Sequence, residues 1–310
     1  MASAGGGAHA GLAVRRLVTV IVRVIVALQV VVGGLLLGAV YALFSSGLTL
    51  IWGMMNVVNF AHGDFVMVGM YVAFLAAIWL HASPPVFASL AAALLFVLGA
   101  VVYYVLIRRV MRGPVLAQIL STFGLALLLR YTMFWVFSAN FITLPESALS
   151  GTLRVGPILV GAAQLVAGVV ALGLTLGMHA LLTRTALGSQ ILAVAEDRQA
   201  ARLMGISPDR MQALAWGLAS AAAGIAGALI ATFYYISPTV GESLAIIAFV
   251  VVSLGGFGSV PGAMVAGLLV GLIEATSAFY IGPVYKDVFV YALFVAILWL
   301  RPQGLMGERA

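Results

Sequence analysis

The chain contains no cysteine, which excludes disulfide frameworks and thiolate metal sites and leaves the redox compartment unspecified. Charge is almost as scarce, at 8% of 310 residues. The histidines His9, His62, His81 and His179 are scattered, and no two sit three or four residues apart to build a ligand face on a helix, so no metal site is expected. No Ser/His/Asp set or carboxylate pair stands outside a loop or span boundary, which argues against an enzyme. A phosphate-cradling loop is missing too: Gly255, Gly256 and Gly258 lack the Lys and Ser/Thr that such a loop requires, and the flanking strand.

What is abundant is apolar surface. At 64% hydrophobic residues and a mean hydropathy of +1.19, the chain carries more than a soluble fold can hide, so lipid is its solvent over most of its length. Crossing a hydrocarbon core of roughly 30 Å takes about 20 apolar residues. Residues 24–52, 65–80, 86–107, 115–137, 158–182, 211–236, 244–254, 261–279 and 288–300 are predicted to supply eight or nine spans of an all-α polytopic bundle. Two of these, 244–254 and 288–300, are short and must be tilted, broken or extended by polar neighbours. The Gly-rich residues 1–16 read as a disordered tail, and 17–310 as one transmembrane domain whose first span is retained.

The net charge of +6 comes from 15 basic and 9 acidic residues and reads as basic loops held at the cytoplasmic face, with no nucleic-acid partner. Arg108, Arg109 and Arg112, the polar stretch 183–210, and Arg301 with Arg309 are separated by even numbers of crossings, so all three groups fall on one side. That order puts the N-terminus outside, against the preference of Arg15, Arg16 and Arg23; two tight passages within 17–52 would remove the conflict.

Small residues recur at helix spacing in Gly34 and Gly38, Ser220 and Gly224, and Gly267 and Gly271, and permit close approach of helices in lipid. Polar residues interrupt the apolar runs at Asn56, Asn59, His62 and Asp64, and again in a Gly- and Pro-rich stretch with Gly255, Gly256, Gly258, Ser259 and Pro261. Unwound backbone at membrane depth is tolerated only where protein or water surrounds it, so both interruptions are predicted as broken or re-entrant segments lining a translocation path; a capped interfacial turn is the other reading of the first. Arg130 and Glu274 are ionisable residues inside spans, either functional or snorkelling to an interface.

The stretch 183–210 holds Arg184, Glu196, Asp197, Arg198, Arg202, Asp209 and Arg210. It is far longer than the roughly two to eight residues usual between packed helices, which favours a docking surface over an idle connector. Residues 189–204 are predicted as helix, Gly205 as its left-handed end, and Ser207 with Pro208 as the start of the next.

Gln199-Ala200-Ala201-Arg202-Leu203-Met204-Gly205 resembles the Glu-Ala-Ala-x-x-x-Gly loop of ABC importer permeases, with Gln199 in place of the usual Glu and no Ile-x-Leu-Pro ending. Gly47-Leu48-Thr49-Leu50-Ile51-Trp52-Gly53 running into Asn59-Phe60-Ala61-His62-Gly63-Asp64, then Leu254 to Ala263, then Arg301-Pro302-Gln303-Gly304-Leu305, are similar in order to branched-chain amino acid permeases of the LivH type. The similarity runs from about Gly38 to the end, and Asp64 stands where Glu is commoner. The resemblance implies a type II ABC importer permease in the inner (plasma) membrane. It further implies a second, related permease, two ATP-binding cassette subunits that hold ATP and Mg, and an extracytoplasmic substrate-binding protein, with no cofactor on this chain. The coupling loop would then comprise Glu196, Asp197, Arg198, Gln199, Ala200, Ala201, Arg202 and Gly205. A permease for urea, short amides or a simple sugar would share these features; an ion-coupled secondary transporter would rely on Asp64 and Glu274.

Overall fold

A computed structural model of the chain describes residues 5–145, 151–301 and 303–307. The helices are α1 (Gly5–Met55), α2 (His62–Trp79), α3 (Pro84–Val102) continued by a π-helical turn Tyr103–Ile107 and α4 (Arg108–Val110), α5 (Val115–Phe137), α6 (Ala162–Arg184), α7 (Ala186–Glu196), α8 (Arg198–Leu203), α9 (Pro208–Ile230), α10 (Val240–Gly255), α11 (Val260–Tyr280) and α12 (Lys286–Leu300). Among the described residues eight helices, α2 included, have the length and composition to cross a membrane, and α9 is the most buried of them. Starts follow local chemistry: proline occupies the first turn of α3, α9 and α11, where a missing N–H costs nothing, and Ser259 Oγ accepts from Gly262 N at 3.1 Å.

Several expectations are corrected. α1 is one unbroken helix, so two passages within 17–52 do not occur, and residues 5–16 continue the helix rather than forming a separate tail; residues 1–4, Pro302 and Arg309 lie outside the described residues. Ile158–Gly161 is a strand paired with Thr152–Val155 around Gly156 (φ +63°), so α6 starts only at Ala162. The helix expected over 189–204 is divided at Asp197, whose extended backbone and capping carboxylate end one helix and begin another. The span expected over 211–236 stops at Ile230.

The small-residue stripes hold the bundle together. α1 and α11 lie against each other through Gly34 and Gly38 on one side and Gly267 and Gly271 on the other: a Cβ on Gly38 would sit 2.6 Å from the Gly267 carbonyl oxygen. In lipid, where apolar burial drives no association, such backbone contact is a main source of attraction. Leucine at Gly38 is therefore expected to lower the thermal midpoint of the purified protein sharply, and alanine less so, in a fluorescence melt in detergent.

Three basic groups gather at one end. Arg108 Nη2 pairs with Asp209 Oδ2 at 2.7 Å, and the C-terminal segment is tied to the end of α10 by Leu305 N to Leu254 O (2.8 Å) and Met306 N to Gly255 O (3.0 Å). By the positive-inside rule this end is cytoplasmic. α1 finishes here too, with Gly53 packed on Gly258, so its beginning lies at the opposite face.

After Met55 the chain turns back into the bundle. Asn56 takes a left-handed conformation (φ +52°), Thr122 Oγ1 donates to Val58 O at 2.9 Å, and His62 Nε2 bonds Phe44 O at 2.7 Å. Phe44 stands about 16 Å from the end of α1 at roughly 1.5 Å rise per residue, so α2 begins near mid-depth and runs outward, stacking Tyr71 on Phe137 at the far end of α5 (4.4 Å). α10 begins at the same depth: a Cβ on Gly241 would lie 3.0 Å from Asp64 Cα. Its 16 residues then reach the cytoplasmic end in about 24 Å, which is why it is short. The bundle thus holds two half-helices whose N-termini meet mid-membrane. Residues 231–239 return the chain from the outer end of α9, where Ile236 bridges Ile142 beyond α5, to the start of α10; the stretch expected to hold the second break, 253–262, is instead a tight cytoplasmic turn with Gly256 (φ +99°) and Gly258 (φ +84°).

Candidate functional site

Where the half-helices meet, three charges from three elements converge. Arg130 of α5 donates through Nε to Asp64 Oδ1 (3.2 Å) and Nη2 to Oδ2 (3.4 Å), and through Nη1 to Glu242 Oε2 (2.8 Å). Asp64 has 0% of its side chain exposed, Arg130 16%, Glu242 64%. A carboxylate buried at this depth requires a partner, and the forked guanidinium supplies one to two acids at once. Both carboxylates also sit in the first turn of a helix, where the macrodipole favours negative charge. Arg130 therefore faces inward rather than snorkelling, and clamps α2, α5 and α10 together. Sequence reading missed Glu242, although its place just after Gly241 at the head of a short apolar run was a usable signal.

The other residues of the first interruption divide. Asn59 and His62 are buried: Asn59 Oδ1 accepts from Ala61 N (3.1 Å), and His62 bonds the α1 backbone. Asn56, Gly258, Ser259 and Pro261 border one cavity of about 510 Å³ at the cytoplasmic end, beside Trp52 and Phe257 with ring centroids 4.4 Å apart. Gly255 and Gly256 form the turn behind it, packed against Gly262 and the C-terminal segment.

Glu274 is buried within the protein. It is 5% exposed, accepts from Tyr41 Oη at 2.7 Å through Oε2, and pairs through Oε1 with Lys286 Nζ at the start of α12. These three border a cavity of about 700 Å³.

The cytoplasmic elbow is rigidly built. Asp197 Oδ1 accepts from Gln199 N (2.7 Å) and Ala200 N (3.1 Å), capping α8; Gly205 (φ +82°) ends it, and Ile206 N returns to Ala201 O at 3.0 Å. Ala201 is buried beneath, while Glu196, Asp197, Arg198, Gln199, Ala200, Arg202 and Gly205 are exposed. At the tip Leu203 is 89% and Met204 81% exposed. They are two large apolar side chains held out on a capped turn among charges, and composition alone did not single them out.

The elbow is also wired into the bundle. With its amide oriented so that Nε2 donates to Tyr103 Oη (2.7 Å), Gln212 Oε1 accepts from Arg198 Nη2 (2.6 Å) and Nε (3.0 Å). Tyr103 Oη donates to Asp209 Oδ1 (3.4 Å), and Asp209 holds Arg108. Tyr103 opens the π-helical turn of α3, a local change in the hydrogen-bond ladder of a kind frequent at functional sites. α8, α9 and α3 thus share one polar chain.

The family described as branched-chain amino acid transport system, permease component, matches residues 30–298. The chain is 32% identical over 294 residues to the high-affinity branched-chain amino acid transport system permease protein BraD of Pseudomonas aeruginosa, covering 91% of this chain and 96% of that one. It is 33% identical over 298 residues to the permease protein LivH of Escherichia coli, with the same coverage. A shorter likeness, 35% over 129 residues, covers 40% of this chain and 29% of the permease protein LivM of Escherichia coli. No solved structure matches.

Proposed function

The chain belongs to the branched-chain amino acid transport permease family, and on that premise we propose that it is the membrane-spanning subunit of an ATP-driven importer of leucine, isoleucine and valine. It makes and breaks no bonds; ATP and Mg are bound by two partner ATPase subunits, a second permease related to LivM completes the path, and an extracytoplasmic protein delivers the substrate. The observation that carries this reading is the elbow: a capped two-helix unit at the basic end of the bundle, presenting Leu203 and Met204 to solvent. ATP binding draws the ATPases together, the elbow moves with them, and the Arg198–Gln212–Tyr103 chain passes that movement to α9 and α3. The half-helices α2 and α10 then change which face the path opens to, with the Arg130 clamp holding their junction.

An ion-coupled mechanism is less well supported. It would rely on Asp64 and Glu274, which are held by Arg130 and Lys286, and uptake insensitive to ATP depletion would favour it. Uptake of labelled leucine, urea and ribose into vesicles carrying the complete complex tests the substrate class: saturable uptake of leucine alone supports the proposal, and uptake of urea or ribose but not leucine refutes it. Phenylalanine at Tyr103 is expected to leave ATPase subunits bound but to reduce leucine moved per ATP hydrolysed several-fold, because it removes the hydroxyl joining Gln212 to Asp209.

A further inference from the structure

The cavity of about 700 Å³ between the outer part of α1, the 231–239 connection, α11 and the start of α12 has a composition that packing does not explain. Part of its lining is aliphatic, with Leu36, Leu37, Leu244 and Ile247, and part is charged, with Glu274, Lys286 and Asp287. Its size lies within the roughly 300–1,000 Å³ of small-molecule sites. Lys286 is the only lysine in the chain, and Glu274 is 5% exposed within a membrane-crossing helix. Two opposite charges at this depth are costly to keep where an apolar pair would pack as well.

We propose that this cavity is a binding site for a zwitterionic amino acid with an aliphatic side chain. Lys286 Nζ receives the ligand carboxylate, Glu274 Oε1 receives its ammonium, and Tyr41 Oη steadies Glu274 from behind through Oε2. The unliganded ion pair is the closed form of the site: a zwitterion entering between the two groups replaces one pairing by two. The aliphatic part of the lining takes the side chain, and the aromatic rings of Tyr234, Tyr235 and Tyr291 also border the cavity, where they favour an ammonium group. A sugar or urea brings no charge to replace the Glu274–Lys286 pairing it would have to separate, so the site adds selectivity to that of the delivering protein.

This inference rests on the proposed transport of branched-chain amino acids, and its test separates the two. In the assembled complex in detergent, an amine-acylating reagent is applied with and without saturating leucine, and modification of Lys286 is read by peptide mass spectrometry. Leucine, and not urea or ribose, is expected to protect Lys286. In uptake assays Lys286→Gln and Glu274→Gln are each expected to raise KM for leucine by about tenfold or more, as loss of a charge-assisted contact implies. The exchange Glu274→Lys with Lys286→Glu keeps an ion pair, so a merely structural pair predicts restored uptake, whereas a ligand site predicts that complex yield returns and uptake does not. If the wild-type complex imports leucine but Lys286 reacts equally with and without it, the site is refuted and the transport reading stands. If the wild-type complex imports no leucine, the transport reading fails and this site falls with it.

Discussion

Placing glutamate at both Leu203 and Met204 is expected to strip the ATPase subunits from the purified complex and to end ATP-dependent uptake, while the chain itself still folds. Both side chains are almost wholly exposed at the tip of a capped turn, so the substitutions disturb no packing within the chain. In an interface, fully desolvated apolar anchors each carry about 2 kcal/mol or more. Burying a carboxylate in their place adds a desolvation penalty of the same sign. Charge reversal at Arg198 and Arg202 acts on the same surface but has a second effect, because Arg198 also reaches Gln212. ATPase recovery after affinity purification, with a detergent melting curve as the control for folding, reads the difference. Normal ATPase recovery with full transport in the double glutamate variant contradicts docking at this elbow.

Methionine at Arg130 is expected to have the largest effect on stability. It leaves Asp64 fully buried with no counter-charge and frees Glu242; breaking a buried pair by removing one partner costs about 3–5 kcal/mol, a large part of the stability of an ordinary domain. Lysine there restores the charge but not the fork, and rescues only in part. The combination of Asp64→Asn with Arg130→Met removes both charges and is expected to recover much of the loss, since what destabilises is the orphaned carboxylate. Thermal midpoints of the single and double variants form a double-mutant cycle. An Arg130→Met protein as stable as the wild type contradicts the clamp.

Much of the architecture was legible because lipid demands long apolar runs: Val115–Phe137 is bounded by Pro114 and by Ser138 in a left-handed conformation, and its limits were read directly. The paired glycines of α1 and α11 were also visible as spacing, though only packing shows that they face each other. The second break was misread because Gly255 to Gly262 advertises a turn by composition, whereas residues 231–239, with Tyr234, Tyr235 and Pro238, leave an apolar run whose helix ends without a strong stop signal. The charge partners were hidden for another reason. Arg130, Asp64 and Glu242 come from three distant parts of the chain, as do Tyr41, Glu274 and Lys286, and single-residue reading ranks each by its own burial cost without revealing who offsets it.

The most direct measurement is leucine accumulation in proteoliposomes that contain this chain with its second permease and the ATPase subunits, supplied with binding protein on one face and ATP on the other. Accumulation is predicted only when ATP is on the face that carries Leu203 and Met204, and none when the ATPase subunits are omitted. Leucine uptake by this chain without them, driven by an ion gradient, would contradict the whole assignment.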